Sequence, residues 1–176
     1  KVIPEPFRDQ FTLSDEELAA VHEAMVDHDT DRIAAGLADV VRFPFSRLLV
    51  DVERFWQDDR EAMARIGMGA IYRVDHELRS IRRTLSKGEE AALRELYDDH
   101  HRSLERAVDQ ALEAHGRCLI IDLHSYPASQ QTYEQASGPR PELCLGTDEF
   151  HTPEDLAVRV ETIAATRGLE IRRNTP

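Results

Sequence analysis

Ser86 and Glu89 form a capping box ahead of a long amphipathic stretch. In that stretch Leu93, Tyr97, His101, Leu104, Val108 and Leu112 recur at helical spacing, and His115-Gly116 supplies the stop. The chain then runs directly into Arg117–Leu123, a near-continuous apolar segment of strand length. A strand that is apolar in both directions must be covered on both faces, and helices are what cover it. This helix–glycine–strand unit limits the chain to folds in which a sheet is packed against helices.

The rest of the chain repeats the alternation. Ser14-Asp15-Glu16-Glu17 is a second capping box, and it opens a helix with Leu18, Val21 and Met25 on one face. A further helical stretch is predicted around residues 31–38, with a bend near Thr30. Val40–Phe43 reads as a strand stopped by Pro44, and Ser46–Glu53 as another. Gly67 and Gly69 precede a brief extended segment, and their lack of a side chain permits close approach of a ligand or neighbour. Glu142–Leu145 is strand-like, Thr152-Pro153 starts a helix that runs to about Arg167, and Leu169–Ile171 follows Gly168 as the last strand. The predicted class is α/β: a three-layer sandwich with a mixed, mostly parallel sheet, formed by one domain over residues 1–176. The chain begins without Met and ends on Asn174-Thr175-Pro176 just after a strand, so it is expected to lack a first strand and a C-terminal strand or helix.

Charge narrows the partners. The 22 basic and 34 acidic residues give −12, which repels a phosphate backbone and disfavours nucleic acid. A small anionic substrate remains compatible, because arginines inside a pocket set the local field. No uncharged apolar run is long enough to span a bilayer, so no membrane partner is expected. Cys118 and Cys144 lie on apolar segments and read as buried reduced thiols, which points to the cytoplasm.

Three segments carry side chains with chemistry. The Arg117–Leu123 strand delivers His124 at its carboxyl end, where open α/β sheets bind ligands. Asp122 falls on the same face and offers an acceptor to fix the imidazole tautomer. His124 is therefore a candidate metal ligand, or else a strand-end histidine bonded to a loop. In the second segment Arg47, Asp51 and Glu53 share one face by strand alternation, while Arg54 has the opposite parity. Arg47 and Arg54 can serve one carboxylate-binding pocket only if the strand ends or bends near Glu53; otherwise the segment is an edge strand with a salt-bridged face. Third, Asp27-His28-Asp29-Thr30-Asp31 is either a ligand cluster or a solvated helix end, with Asp27 and Asp31 on one helical face. Gly146-Thr147-Asp148, followed by His151, is a turn suited to substrate contacts or to helix entry. His101 lies on the apolar stripe and reads as a core histidine.

Taken together these segments resemble the N-formylglutamate amidohydrolase family. The resemblance runs through Val26–Asp31, Arg42–Arg47, Asp51–Phe55, Gly67–Tyr72, Tyr97 with His100-His101, His115–Pro127, Arg140–Asp148 and His151-Thr152-Pro153. It implies a zinc-carboxypeptidase/phosphorylase-like fold and one divalent metal, zinc by preference. It also implies hydrolysis of N-formyl-L-glutamate to formate and glutamate through a metal-activated water, late in histidine breakdown. By that analogy His124 is a metal ligand, with Asp27 or Asp31 as the acidic ligand. Arg47 and Arg54 grip substrate carboxylates, and Gly146, Thr147 and Asp148 make further substrate contacts. The family's Pro-His-[Ser/Thr/Ala]-Gly segment, which carries another metal-binding histidine, would precede Val2. Its general-base glutamate would follow Pro176, so the 176 residues alone are expected to be inactive. Glu53 stands where histidine-pathway members more often have Asn, which leaves another N-acyl amino acid or a small peptide as an alternative substrate. A binding or scaffold member that has lost the metal is the non-enzymatic alternative.

Overall fold

In a computed structural model, which describes residues 3–37, 39–129 and 139–175, the chain is a largely helical α/β protein. Its helices are α1 (Glu5–Arg8), α2 (Asp15–Met25), α3 (Thr30–Ile33), α4 (Lys87–His115) and α5 (Glu154–Thr166). A single 3-10 turn covers Ala62–Ile66. The strands β1 (Leu143–Leu145) and β2 (Ile171–Arg173) form a two-stranded parallel sheet. Contacts divide the chain into two units, Lys1–Ser125 and Tyr126–Pro176.

Local chemistry sets the helix boundaries. Ser14 Oγ accepts from Glu17 N at 3.2 Å while Glu17 Oε2 accepts from Ser14 N at 2.8 Å, so the box that opens α2 satisfies donors from both directions. The same exchange opens α4, where Glu89 also receives both ends of the Arg83 guanidinium. Gly116 closes α4 in the left-handed region, φ 68°, with its N–H on Leu112 O at 2.8 Å. α2 ends at the extended Val26, and Asp29 enters α3 at φ 59°. Asp27 therefore sits between helices, and Asp27 and Asp31 do not share the helical face predicted for them. The predicted helix around 31–38 shortens to the single turn of α3.

The core of the first unit gathers Phe11, Leu18 and Val21 with Phe43, Leu48, Leu49, Val50, Met68, Tyr72, Ile81 and Leu93. Leu48, Leu49 and Val50 are wholly buried, yet they lie on turns rather than on a strand. Ser46 bends the backbone there, since its oxygens accept from Leu48 N and Leu49 N. Arg82 then seals the bend, its Nη2 donating to Leu48 O at 2.6 Å and Leu49 O at 3.0 Å. Desolvation pulls the buried Arg82 guanidinium down to about 10, and its packing over the Phe11 ring at 4.6 Å offsets part of that cost. Gly69 sits tightly against its neighbours: a Cβ would meet Asp58 Oδ1 at 3.0 Å and Ala64 Cβ at 3.2 Å. The close approach predicted for this glycine is to a neighbouring segment of the chain.

The predicted three-layer sandwich is not what the described residues form. Val40–Phe43 and Ser46–Glu53 make no ladder among the described residues, and outside β1 and β2 isolated antiparallel bridges join Phe11 with Arg82, Met68 with Tyr72 and Val74 with Ser80. Arg117–Leu123 forms no regular element and has no ladder partner among the described residues, so its hydrophobic side chains face solvent: Leu119 is 59%, Ile120 58% and Ile121 68% exposed. A strand is buried on both faces only within a sheet that helices cover, and no described strand flanks this one. Cys118 is exposed for the same reason and Cys144 half-buried, so neither is the buried thiol that was predicted. Along α4 the apolar stripe is covered at Leu93 and exposed at Leu112.

In the second unit Leu143, Cys144 and Leu145 register with Ile171, Arg172 and Arg173. α5 closes the crossover, burying Ala157 and Ala164, and Arg173 ties strand to helix through Glu154 and Glu161. The strands and the helix predicted at 142–145, 152–167 and 169–171 form here within a few residues of those limits.

Ser86→Ala is expected to lower stability by about 1 kcal/mol in denaturant unfolding, by removing the cap of α4. Arg83 and Ser86 hold the Glu89 carboxyl down to about 2, from 4.5. A group depressed in the folded state stabilises above its unfolded pKa, so the stability difference between the native chain and Glu89→Gln should persist down to about pH 4.5 and vanish toward pH 2.

Candidate functional site

Asp51 is the centre of the polar cluster in the first unit, at 2% exposure. Its Oδ2 accepts from Tyr72 Oη at 2.8 Å and from Arg47 Nε at 3.2 Å, and its Oδ1 accepts from Glu53 N at 3.1 Å. Arg54 Nε approaches the same Oδ2 at 3.8 Å. The backbone makes this possible: Asp51 N is held by Ala70 O at 2.8 Å, and Arg54 N turns back on Asp51 O. The chain thus bends at Glu53, the condition under which Arg47 and Arg54 can serve one pocket. They meet through a turn and not through strand parity.

Arg47 is heavily committed. Nη1 donates to Asp27 Oδ2 at 3.0 Å, Nη2 to Glu53 Oε2 at 3.0 Å, and Nε to Asp51. Burial works against its charge, but Asp51, Tyr72, Asp27 and Glu53 outweigh that and raise its pKa. Arg54 is held more loosely. Its Nη1 lies 3.6 Å from Glu61 Oε1, and its buried Nε makes no hydrogen bond. Its backbone is fixed from α4, where Tyr97 Oη donates to Arg54 O at 2.9 Å. Burial pushes the Tyr72 phenol up, assisted by Asp51, so Tyr72 remains a donor at any ordinary pH.

His124 joins the cluster from the end of the exposed segment. Nδ1 lies 3.6 Å from Asp27 Oδ1 and 3.6 Å from Glu53 Oε2, while Nε2 lies 3.2 Å from Asp122 Oδ2. Asp122 thus occupies the position of a tautomer-fixing acceptor. Ser125 N also donates to Asp27 Oδ1, at 3.3 Å. Surrounded by carboxylates, Asp122 first and Asp27 next, the imidazole is raised to about 10 against the effect of burial. Burial opposes ionisation of Asp27, but His124 and Arg47 hold its carboxyl below the usual range. Burial pushes the Glu53 carboxyl up.

Ligand atoms of Glu53, Asp122 and His124 all lie within 4.8 Å of one another. One imidazole nitrogen with several carboxylate oxygens is a donor set that fits zinc or a similar divalent cation. The 3.6 Å separations at Nδ1 are near the roughly 3.4 Å edge of a tetrahedron with bonds of about 2.1 Å.

The other candidates have different partners. Asp31 is exposed, and its Oδ1 accepts from Arg32 N at 3.0 Å. In the second unit Thr147 N donates to Asn174 Oδ1 at 2.8 Å, and Asn174 Nδ2 returns a bond to Thr147 Oγ1. Asp148 Oδ1 accepts from Phe150 N and His151 N, both at 2.8 Å, and its Oδ2 meets His151 Nδ1 at 2.9 Å. The Gly146-Thr147-Asp148 segment is therefore held by Asn174 after β2 and by Phe150 and His151 on the way into α5. His101 is half-buried and stacks on Tyr97 at 4.3 Å between ring centres. Glu61 lies in no motif singled out in the sequence, and Tyr72 lies in the Gly67–Tyr72 stretch without having been named as a site residue. The one available hint is a polar-tipped aromatic following Gly67-Met68-Gly69-Ala70-Ile71, where a buried hydroxyl must find an acceptor.

Fold and site together describe a mixed α/β protein with a histidine–carboxylate cluster set against paired arginines. The family model described as N-formylglutamate amidohydrolase matches residues 1–176, the whole chain, and the chain belongs to that family of amide hydrolases. No curated protein and no solved structure matches the chain significantly.

Asp51→Asn removes the anion shared by Arg47, Arg54 and Tyr72 and is expected to cost about 3–5 kcal/mol in equilibrium unfolding. Tyr72→Phe should cost about 1.5–3 kcal/mol. In metal-free protein the His124 imidazole should titrate near 10 by NMR, and Asp122→Asn should bring it down. A group raised in the folded state stabilises below its unfolded pKa, so this contribution is complete below 6.5 and lost as pH rises through about 10.

Proposed function

We propose that this chain forms the substrate- and metal-binding part of a metal-dependent amidohydrolase that cleaves the linear amide of an N-acyl amino acid. N-formyl-L-glutamate is the first candidate, from the description of the family. The observation that carries the reading is His124 Nδ1 facing Asp27 and Glu53 while its Nε2 rests on Asp122, beside a pair of arginines.

His124 and Asp27 are the residues proposed to hold the cation, with Glu53 within reach. When bound, a divalent cation of this kind polarises the amide carbonyl and lowers the pKa of an attacking water. The protein's own groups do the rest. Asp122 accepts a hydrogen bond from Nε2, which leaves Nδ1 as the ligand nitrogen. Arg47 neutralises Asp27 and Glu53 and keeps them from repelling each other across the site. Arg54 is the guanidinium proposed for a substrate carboxylate, since it is partly exposed and its carboxylate neighbours Glu61 and Asp51 stand beyond hydrogen-bond length at 3.6 and 3.8 Å. Asp51 and Tyr97 fix that arginine from the side chain and from the backbone.

Because Nδ1 and the carboxylates must be free of protons to bind a cation, metal uptake should release protons and strengthen with rising pH. The test is elemental analysis of the full-length protein carrying this chain, together with hydrolysis of N-formyl amino acids. About one divalent ion per chain is expected, lost in His124→Ala along with activity. A protein that binds no divalent metal and turns over no N-acyl amino acid contradicts the reading.

A further inference from the structure

We infer that Glu61 is a positioning residue for Arg54: it holds that residue at both its backbone and its guanidinium, and so presents one fixed orientation to the substrate carboxylate. The inference rests on the amidohydrolase reading above and on the role given there to Arg54.

Glu61 stands at the entry to the 3-10 turn, where its Oε1 accepts from Met63 N at 2.9 Å. A shorter residue such as Asp or Ser meets that need alone and is the commoner choice at a helix start. The longer glutamate brings a second oxygen to the preceding loop, where Oε2 accepts from Phe55 N at 3.1 Å. Phe55 N belongs to the peptide group whose oxygen is Arg54 O, and Tyr97 Oη donates to that oxygen at 2.9 Å. Glu61 and Tyr97 thus hold the two polar ends of one peptide bond, the one that leaves Arg54. Its plane cannot turn without breaking a hydrogen bond.

The side chain is held as well. Arg54 Nη1 lies 3.6 Å from Glu61 Oε1, and Arg54 Nε lies 3.8 Å from Asp51 Oδ2. The two carboxylates approach different nitrogens, so the guanidinium is oriented as well as placed. Asp51 alone would leave a pivot, and it is already hydrogen-bonded by Tyr72 and Arg47. Glu61 is 8% exposed and Arg54 30%, so solvent screens this pair less than a surface ion pair, while Arg54 keeps an accessible side. A long arginine loses rotamer freedom when it takes up a ligand, and ordering it beforehand removes that loss from binding.

The test uses the full-length metal-loaded protein and the variant Glu61→Gln, which is nearly isosteric and uncharged. Both are assayed on N-formyl-L-glutamate and on its two monoamides, in which one or the other carboxylate is neutral. Glu61→Gln should raise KM for N-formyl-L-glutamate about tenfold and leave kcat within about twofold, the pattern of binding lost equally from ground and transition states. The same rise should appear with one monoamide and disappear with the other, which lacks the carboxylate that Arg54 takes. For a compound turned over too slowly, its competitive inhibition constant replaces KM. A rise shared by all three compounds marks general damage to the fold and overturns the inference. An unchanged KM overturns it too, and so does a lowered one, which would mean that Glu61 competes with the substrate for Arg54. Should the variant not fold, NMR relaxation of the native protein decides. The Arg54 Nε–H bond should be as ordered without substrate as the rigid backbone, with an order parameter of about 0.85, and a value below about 0.6 overturns the inference. These outcomes leave the amidohydrolase reading intact, whereas native protein that hydrolyses none of the three compounds overturns that reading and this inference with it.

Discussion

A buried carboxylate needs partners, and in this protein Asp51 draws its partners from widely separated parts of the sequence. Tyr72 reaches it from beyond the 3-10 turn, Arg47 and Arg54 from either side along its own loop, and Glu53 through its backbone. With the carboxylate fixed, the loop from Ser46 to Arg54 has little freedom. Its apolar members Leu48, Leu49 and Val50 enter the core, while its charged members gather in the polar cluster. Arg82 completes the arrangement by capping the carbonyls of Leu48 and Leu49 at the bend. Packing and site geometry thus depend on the same short segment.

That dependence explains why the cluster sits where it does. Arg47 extends from the Asp51 anchor to Asp27, and Asp27 lies just past the end of α2, whose capping box and buried Leu18 and Val21 set its position. Asp27 and Glu53 in turn face His124, so a histidine at the end of an otherwise exposed segment is held by carboxylates that Arg47 anchors to the buried Asp51. The charges in the cluster support one another: Asp27 is held ionised against burial by His124 and Arg47, and the imidazole is raised by the acids around it.

Capped helices were the most legible part of the sequence, because a capping box is a local device whose partners lie three residues apart. Both boxes formed, and the glycine stop of α4 fell at Gly116. The parallel pair β1 and β2 was legible through its helix and turn signals. The strands at 40–43, 46–53 and 117–123 were not, because apolar, β-branched composition records a demand for burial and does not say what meets it. Leu48, Leu49 and Val50 meet it through turns sealed by Arg82, whereas Leu119, Ile120 and Ile121 stay exposed. His124, Asp27, Arg47 and Arg54, which meet in one polar cluster, could be picked out from the sequence as candidates, but the turn that joins the arginines could not. Parity along a strand predicts the wrong relation between them, and the distant acceptors and donors Glu61 and Tyr72 leave no periodic trace.

The proposed seat of a divalent cation is His124 Nδ1, with Asp27 beside it. Anomalous diffraction from crystals of the zinc-loaded full-length protein tests it most directly. A zinc peak is expected about 2.0–2.1 Å from His124 Nδ1, with an Asp27 oxygen in its coordination and Nε2 still on Asp122. A peak elsewhere, or zinc bound through Nε2 with Asp27 left to Arg47 alone, would contradict it.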